Sequence, residues 1–96
     1  MNITIIKKLY YVYLIVTIKK KRAKSYVGYT NDIKKRIFLH NRGLGAKSTR
    51  GYQWRLIYKK TFKNKKKAMK YEYYLKRNKK LRKEIKEKNE VKNNYF

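Results

Sequence analysis

The chain has 96 residues, which is enough for one compact domain and too few for two domains with separate cores. Thirty Lys and Arg residues against five Asp and Glu residues give a formal net charge of +25, an excess that favours a polyanionic partner such as a nucleic acid. Hydrophobic residues make up 42% of the chain, and this excludes a disordered basic tail. The composition therefore predicts a folded basic domain.

Cysteine is absent and histidine occurs once, which excludes disulfides, cysteine-based zinc sites and catalytic thiols. Nothing in this composition requires an oxidising compartment, so we expect a cytoplasmic protein. The longest uncharged run, residues 9–18, is half of the roughly 20 residues that a membrane-spanning helix needs. Basic residues follow it where a signal peptide would have its cleavage site, so we expect neither a membrane span nor secretion.

The hydrophobic pattern predicts three strands. Residues 9–18 are rich in Tyr, Val and Ile, and residues 25–29 form a second apolar run after a basic turn at residues 19–24. Their closeness in the chain favours an antiparallel hairpin. Residues 53–62 alternate between apolar and polar side chains, which predicts the third strand.

A first helix is expected over residues 32–42, after the hairpin. Thr30 or Asn31 is a suitable N-cap for this helix, and Gly43 is a suitable end. Residues 43–51 then form a loop rich in Gly, Ser and Thr.

Two more helices are expected after the third strand. Asn64 can cap one that ends at about Arg77, and the other is predicted over residues 81–88. The element order ββα-β-αα indicates an α+β domain with a small antiparallel sheet and helices packed on it. We divide the chain into an N-terminal extension, one domain and a tail expected to fray: residues 1–8, 9–88 and 89–96.

Polar residues interrupt the buried face of the first predicted helix. Ile33 and Ile37 define that face, and Arg36 and His40 border it by helical spacing. A histidine in such a place is either a core-edge residue or part of a site.

Glu72 lies on the apolar face of the second predicted helix, beside Ala68 and Leu75. A carboxylate near a core must pair with a cation or bind a metal ion. A salt bridge to Arg36 or to a neighbouring lysine would satisfy it as well as a metal would, and spacing does not separate these alternatives.

The strand pattern also places tyrosines on common faces. Tyr11 and Tyr13 share one face of the first strand, and Tyr26 and Gly28 share one face of the second. The hairpin would bring Tyr13 and Tyr26 together. A glycine inside a strand indicates a bulge or the close approach of another backbone, including that of a nucleic acid.

The order and spacing of four short motifs resemble those of the GIY-YIG nuclease superfamily. The motifs are two tripeptides, an arginine and a glutamate: Tyr11-Val12-Tyr13, Tyr26-Val27-Gly28, Arg36 and Glu72. The resemblance covers about residues 9–86 and is strongest to small stand-alone bacterial members. It implies a three-stranded antiparallel sheet flanked by helices, in agreement with the predicted elements.

The chain departs from the family pattern at two positions. Its first motif reads Tyr-Val-Tyr rather than Gly-Ile-Tyr, a change that keeps the tyrosine. Tyr29 stands where some branches have a lysine that acts as general base or assists it. The identity of the base is therefore open.

The resemblance implies that Tyr13, Tyr26, Arg36, His40 and Glu72 form a catalytic site. Glu72 would bind one Mg²⁺ or Mn²⁺ ion through oxygen, and Arg36 would stabilise the charge of the transition state. Tyr13 would accept a proton from the attacking water, which requires a pKa well below its usual value of about 10. Tyr26 and His40 would orient the water or phosphate and share the proton transfer.

The predicted loop at residues 43–51 carries side chains suited to a nucleic-acid backbone: Lys47, Ser48, Thr49 and Arg50. A solvated loop with no such contacts is the alternative. Lysines in the later helices would add affinity that is independent of sequence and falls with salt.

The resemblance and the residues that carry it imply a metal-dependent endonuclease that hydrolyses DNA, selects its substrate by structure and is linked to repair or recombination. A non-catalytic module that binds RNA or DNA is the alternative, and RNA is not excluded as a substrate. No segment has the pattern of an amphipathic helix with a long lysine face opposite an apolar face, so a membrane surface is not an expected partner. Specificity would come from DNA structure, a protein partner or self-association.

Overall fold

The first apolar run of the sequence is the centre of the fold. In the computed structural model, which describes residues 8–18 and 23–94, β1 (Tyr10–Thr17) is the middle strand of a three-stranded antiparallel sheet. It is flanked by β2 (Ser25–Thr30) and β3 (Trp54–Phe62), in the order β2-β1-β3. The predicted α+β class and the β1–β2 hairpin are confirmed. Residues 19–22 of the predicted basic turn lie outside the described residues.

Alternate side chains of β1 are buried on opposite faces of the sheet. On one face, Tyr13 and Ile15 form a buried cluster with Trp54, and Ile33 and Ile37 of the first helix pack against it. We call this the α1 face. The opposite face, the α2–α3 face, has its own cluster formed by strand residues and helix residues: Val12, Leu14, Val27, Ala68 and Leu75. The strict alternation of side chains along β1 explains why both faces are apolar.

The first helix, α1 (Ile33–Asn41), begins one residue later than predicted and has a different N-cap. Asp32 is the cap, and its Oδ1 accepts a hydrogen bond from the backbone N–H of Lys35 at 3.1 Å. The prediction of Thr30 or Asn31 is wrong because Thr30 is still paired in β2. Gly43, with a φ of +74°, lies just beyond the helix and allows the chain to turn away as predicted.

The second helix, α2 (Lys65–Arg77), has the predicted cap, since Asn64 accepts from the N–H of Lys67. The third, α3 (Lys79–Asn94), is longer than predicted at both ends. Asn78, between the two helices, caps α3 by accepting from the N–H of Leu81 at 3.0 Å. The helix includes residues 89–94 of the tail that the sequence expects to fray, and residues 95–96 lie outside the described part.

α3, the longest helix in the described part of the chain, has 16 residues and many lysines. Across residues 8–18 and 23–94, the chain forms no helix with the length and apolar composition that a bilayer requires.

The loop between α1 and β3 includes a short 3₁₀ turn, Lys47–Thr49, and two anchors hold it against the sheet. Asn41 accepts from the backbone N–H of Trp54 at 2.6 Å and donates to the Trp54 carbonyl at 3.2 Å. The Trp54 indole N–H donates in turn to the carbonyl of Thr49 at 2.9 Å. The loop is therefore held close to the C-terminal end of α1.

Candidate active site

Tyr13 lies in the middle of the central strand, on the α1 face, and is 0% exposed. Its partner across β2 is Gly28, and a Cβ on Gly28 would collide with the Tyr13 hydroxyl. The glycine thus makes room for a phenol ring. The expectation of a bulge or an approaching backbone at Gly28 is wrong, and the irregularity of the sheet lies instead between Leu14 and Ile15, opposite β3.

His40, in the last turn of α1, contacts Tyr13 directly and is also 0% exposed. The Tyr13 hydroxyl oxygen lies 2.7 Å from Nε2 of His40. Nδ1 of the same ring lies 2.9 Å from Oγ1 of Thr49, and the Thr49 hydroxyl donates to the carbonyl of Ala46 at 2.8 Å. A continuous buried chain of hydrogen bonds therefore joins Tyr13 to the loop after α1.

Burial shifts the pKa values of Tyr13 and His40 in the directions that favour the neutral form of each ring. It raises the pKa of Tyr13 to about 12, although the hydrogen bond and charge of Arg36 oppose that shift. Burial, followed by the charge of Arg36, lowers the pKa of His40 to about 4. The expected lowering of the Tyr13 pKa is wrong for the protein alone, because desolvation outweighs the basic surroundings. At neutral pH the pair is phenol and neutral imidazole.

Arg36 and Tyr26 complete the group on the α1 face. Nε of Arg36 donates to the Tyr13 hydroxyl at 3.4 Å, and this contact is the main reason that the pKa of Arg36 is raised. The Tyr26 ring centroid lies 5.0 Å from that of His40 and 6.3 Å from that of Tyr13. The hairpin thus brings the two tyrosines together as predicted, with the histidine beside both.

Glu72 approaches this group from α2, and its side chain is 19% exposed. Its Oε1 lies 3.7 Å from Nζ of Lys76, one helical turn away. Lys76 Nζ also lies 6.0 Å from the centroid of the Tyr26 ring, and the charge of Glu72 contributes to the raised pKa of Tyr13. Of the cations considered from sequence, the structure pairs Glu72 with the neighbouring lysine.

The residues fit a divalent ion that keeps most of its ligands as water and substrate oxygen. Within residues 8–18 and 23–94, no group of three or more His, Cys, Asp or Glu side chains is placed to hold a metal. Glu72 offers one carboxylate that is partly open to solvent and paired through a long contact with an exposed lysine. Mg²⁺ tolerates such a sparse protein site because it releases water reluctantly.

The four side chains of residues 47–50, which the sequence analysis assigned to one nucleic-acid contact, differ in their exposure to solvent. Lys47, Ser48 and Arg50 are exposed, whereas Thr49 is 0% exposed and bonded to His40. We therefore correct the expectation that Thr49 contacts nucleic acid, because its hydroxyl is used inside the protein. The 3₁₀ turn causes this difference by turning one side chain of the four inward.

Gly45 is a site residue that sequence reasoning missed. A Cβ at this position would collide with the imidazole ring of His40. The signal available in the sequence was a glycine in a loop, which is equally typical of an ordinary turn. Only its position against the ring identifies its role.

Comparison with known proteins agrees with this geometry. The family model described as the GIY-YIG catalytic domain matches residues 9–89. A UPF0213 protein of Clostridium perfringens is 46% identical over 87 residues, covering 82% of this chain and 90% of the relative. The UPF0213 protein YazA of Bacillus subtilis is 42% identical over 69 residues, covering 71% of this chain and 70% of the relative.

A UPF0213 protein of Staphylococcus saprophyticus is 42% identical over 77 residues, covering 76% of this chain and 90% of the relative. No solved structure matched the chain. The family match spans β1 to α3 and includes every residue of the site described above. The chain therefore belongs to the GIY-YIG nuclease family and is similar to its small UPF0213 members.

Proposed function

We propose that this protein is a divalent-metal-dependent endonuclease that hydrolyses DNA phosphodiester bonds. Membership of the GIY-YIG family supports the nuclease class. The observation that carries the proposal is the 2.7 Å contact between the Tyr13 hydroxyl and Nε2 of His40, with Arg36 beside it. A structural core would have no need of these polar groups in one buried cluster.

Tyr13 and His40 together can activate a water molecule. The water gives a proton to the Tyr13 oxygen while the Tyr13 hydroxyl proton passes to Nε2 of His40, leaving hydroxide to attack phosphorus and an imidazolium behind. With a pKa of about 12, Tyr13 does not readily become a phenolate. The coupled transfer of the two protons avoids forming one. Tyr29 replaces the lysine that serves as general base, or assists it, in some branches of the family. On this proposal, the Tyr13–His40 pair is the base instead.

Substrate binding would make His40 a better base. The charge of Arg36 is the second cause of the low His40 pKa, after burial. A phosphate bound to Arg36 offsets that charge and moves the His40 pKa upward. Catalytic power would thus rise when the scissile phosphate is in place.

Arg36 would exchange its contact with Tyr13 for contacts with phosphate. At 3.4 Å its bond to the Tyr13 hydroxyl is long, and a planar guanidinium matches two phosphoryl oxygens. The exchange would also open the fully buried Tyr13 hydroxyl to the attacking water. Tyr26, half-buried beside both rings, would orient the water or the phosphate.

Glu72 would hold one Mg²⁺ or Mn²⁺ ion, and such an ion supplies Lewis-acid stabilisation of the scissile phosphate and the departing 3′ oxygen. Lys76 would leave Glu72 and remain close enough to neutralise charge on the substrate. A partly exposed pair with a contact this long contributes little to stability, so its exchange costs little.

We propose DNA of a particular structure as the substrate, in repair or recombination. A net charge of +25 supports a nucleic-acid partner, and Lys47, Ser48 and Arg50 are exposed on the loop that follows the site. A small basic domain reads shape and deformability more readily than a long base sequence. A protein partner or self-association would add further specificity, and RNA is the alternative substrate.

A non-catalytic binding module is the second candidate function. The high Lys and Tyr content favours it, because both contact nucleic acids without chemistry. Glu72 argues against it, because a surface that only binds phosphate has no need of a carboxylate beside the site, even one paired with Lys76.

A cleavage assay tests the proposal with labelled duplex, nicked, flap, branched and single-stranded DNA and an RNA hairpin, each with Mg²⁺, Mn²⁺ or EDTA. We expect metal-dependent cutting that is lost in the Glu72→Gln and Tyr13→Phe variants. Tyr58→Phe is the matched control, because it removes a hydroxyl that bonds Tyr71 on the α2–α3 face. Salt-sensitive binding without cutting on any substrate would leave only the binding module.

A further inference from the structure

The hydrogen bonds around Thr49 determine which nitrogen of His40 carries the proton. The carbonyl of Ala46 can only accept, so the Thr49 hydroxyl uses its single proton to donate there, at 2.8 Å. The same Thr49 oxygen lies 2.9 Å from Nδ1 of His40 and has only lone pairs left. This arrangement favours a proton on Nδ1 of His40.

With the proton on Nδ1, Nε2 of neutral His40 has a free lone pair. The Tyr13 hydroxyl, 2.7 Å away, must then be the donor, and its oxygen accepts from Nε of Arg36. In this series of hydrogen bonds, which runs from Arg36 through Tyr13, His40 and Thr49 to the Ala46 carbonyl, each bond then has one donor and one acceptor. The opposite tautomer would leave two acceptors facing one another at Nδ1, unless the Thr49 hydroxyl released Ala46.

We propose that Thr49 is a positioning residue that fixes His40 as the Nδ1–H tautomer, so that Nε2 is the proton acceptor for Tyr13. The catalytic consequence rests on the proposed nuclease function, whereas the tautomer assignment does not.

The backbone around Thr49 is built to hold this geometry. Its carbonyl accepts the indole N–H of Trp54 at 2.9 Å, and Gly45 leaves space for the imidazole ring. Lys47 and Arg50, on either side, are exposed to the solvent. The loop that carries these exposed cations thus also carries the residue that contacts His40.

The first experiment reads the tautomer directly. His40 is the only histidine of the chain, so a two-bond ¹H–¹⁵N correlation spectrum of the full-length protein at pH 7 contains one imidazole pattern. We expect the pattern of the Nδ1–H tautomer in the wild type. A dominant Nε2–H pattern would overturn the proposal without any cleavage measurement.

The second experiment compares Thr49→Val, which keeps the shape and removes the hydroxyl, with Thr49→Ser, which keeps the hydroxyl. In Thr49→Val we expect the Nε2–H tautomer to become the main species and kcat to fall on the order of tenfold, the worth of a lost buried hydrogen bond. Thr49→Ser should keep the wild-type tautomer and activity. An unchanged tautomer in a folded Thr49→Val protein would overturn the role of Thr49.

The DNA affinity separates this role from a direct contact. Thr49→Val should leave Kd and its salt dependence unchanged, whereas loss of a phosphate contact would weaken binding. A weaker Kd with an unchanged tautomer would therefore contradict the positioning role. A wild-type Nδ1–H tautomer in a protein that cuts no substrate would instead contradict the proposed function and leave the tautomer assignment standing.

Discussion

Gly28 and Tyr13 face one another across β1 and β2, and the space of a Cβ on Gly28 is already taken by the Tyr13 hydroxyl. A residue without a functional group is thus part of the candidate site. It leaves room for the Tyr13 phenol ring, whose hydroxyl contacts His40.

Replacing Gly28 with alanine should displace the Tyr13 hydroxyl from His40. We expect a loss of about 1–3 kcal/mol in unfolding free energy, typical of overpacking, and a loss of cleavage comparable to that of Tyr13→Phe. Urea unfolding and the cleavage assay measure the two effects. Ser25→Ala, in the same strand, is the control and should change neither. Wild-type activity in folded Gly28→Ala would contradict the importance of this fit.

The protein should lose stability in mild acid because of His40. Its folded pKa of about 4 lies below the ordinary value of 6.5, so between these values the unfolded chain binds more protons. The stabilisation is complete above about pH 6.5 and is lost as the pH falls towards 4, roughly 3 kcal/mol in all. Urea midpoints from pH 7 to pH 4.5 measure it, with an NMR titration of the single imidazole. Titration near pH 6.5 in the folded protein would refute it.

Removing the amine of Lys76 should make Glu72 a better metal ligand. The two side chains are 3.7 Å apart and partly exposed, a pair worth about 0–1 kcal/mol. Lys76→Gln should therefore reduce the Mg²⁺ concentration for half-maximal cleavage by a factor of about 2–5. Lys70→Gln carries the same charge change at an exposed position of α2 and is the control. An equal shift in both variants would indicate a general charge effect instead.

Neutralising Lys47 should weaken DNA binding to the same degree for every sequence. One lost phosphate contact reduces the slope of log K against log salt concentration by about 0.9. Lys83→Gln removes a charge from α3, on the opposite side of the sheet, where many lysines share the expected contact with the backbone, and should reduce the slope by less than Lys47→Gln does. Fluorescence anisotropy at several salt concentrations measures both slopes. A slope that falls equally in the two variants would argue against a contact at the loop.

The sequence by itself determined the elements and the shared faces of the site residues. The two-residue repeat of a strand placed Tyr11 and Tyr13 on one face, and the helical repeat placed Arg36 and His40 on one side of α1. These are local properties of the backbone, and they hold wherever the element forms. The order and spacing of the motifs can also be read from the sequence alone, and they identified the family that the match over residues 9–89 confirms.

The tertiary structure alone decided the chemistry of those residues. Packing of α1 on the sheet buries Tyr13 and His40, and this burial sets the direction of both pKa shifts. A 3₁₀ turn, held by Trp54, sends Thr49 inward while its neighbours face the solvent. Desolvation and hydrogen-bond direction depend on contacts between residues far apart in the chain, and no local pattern contains them.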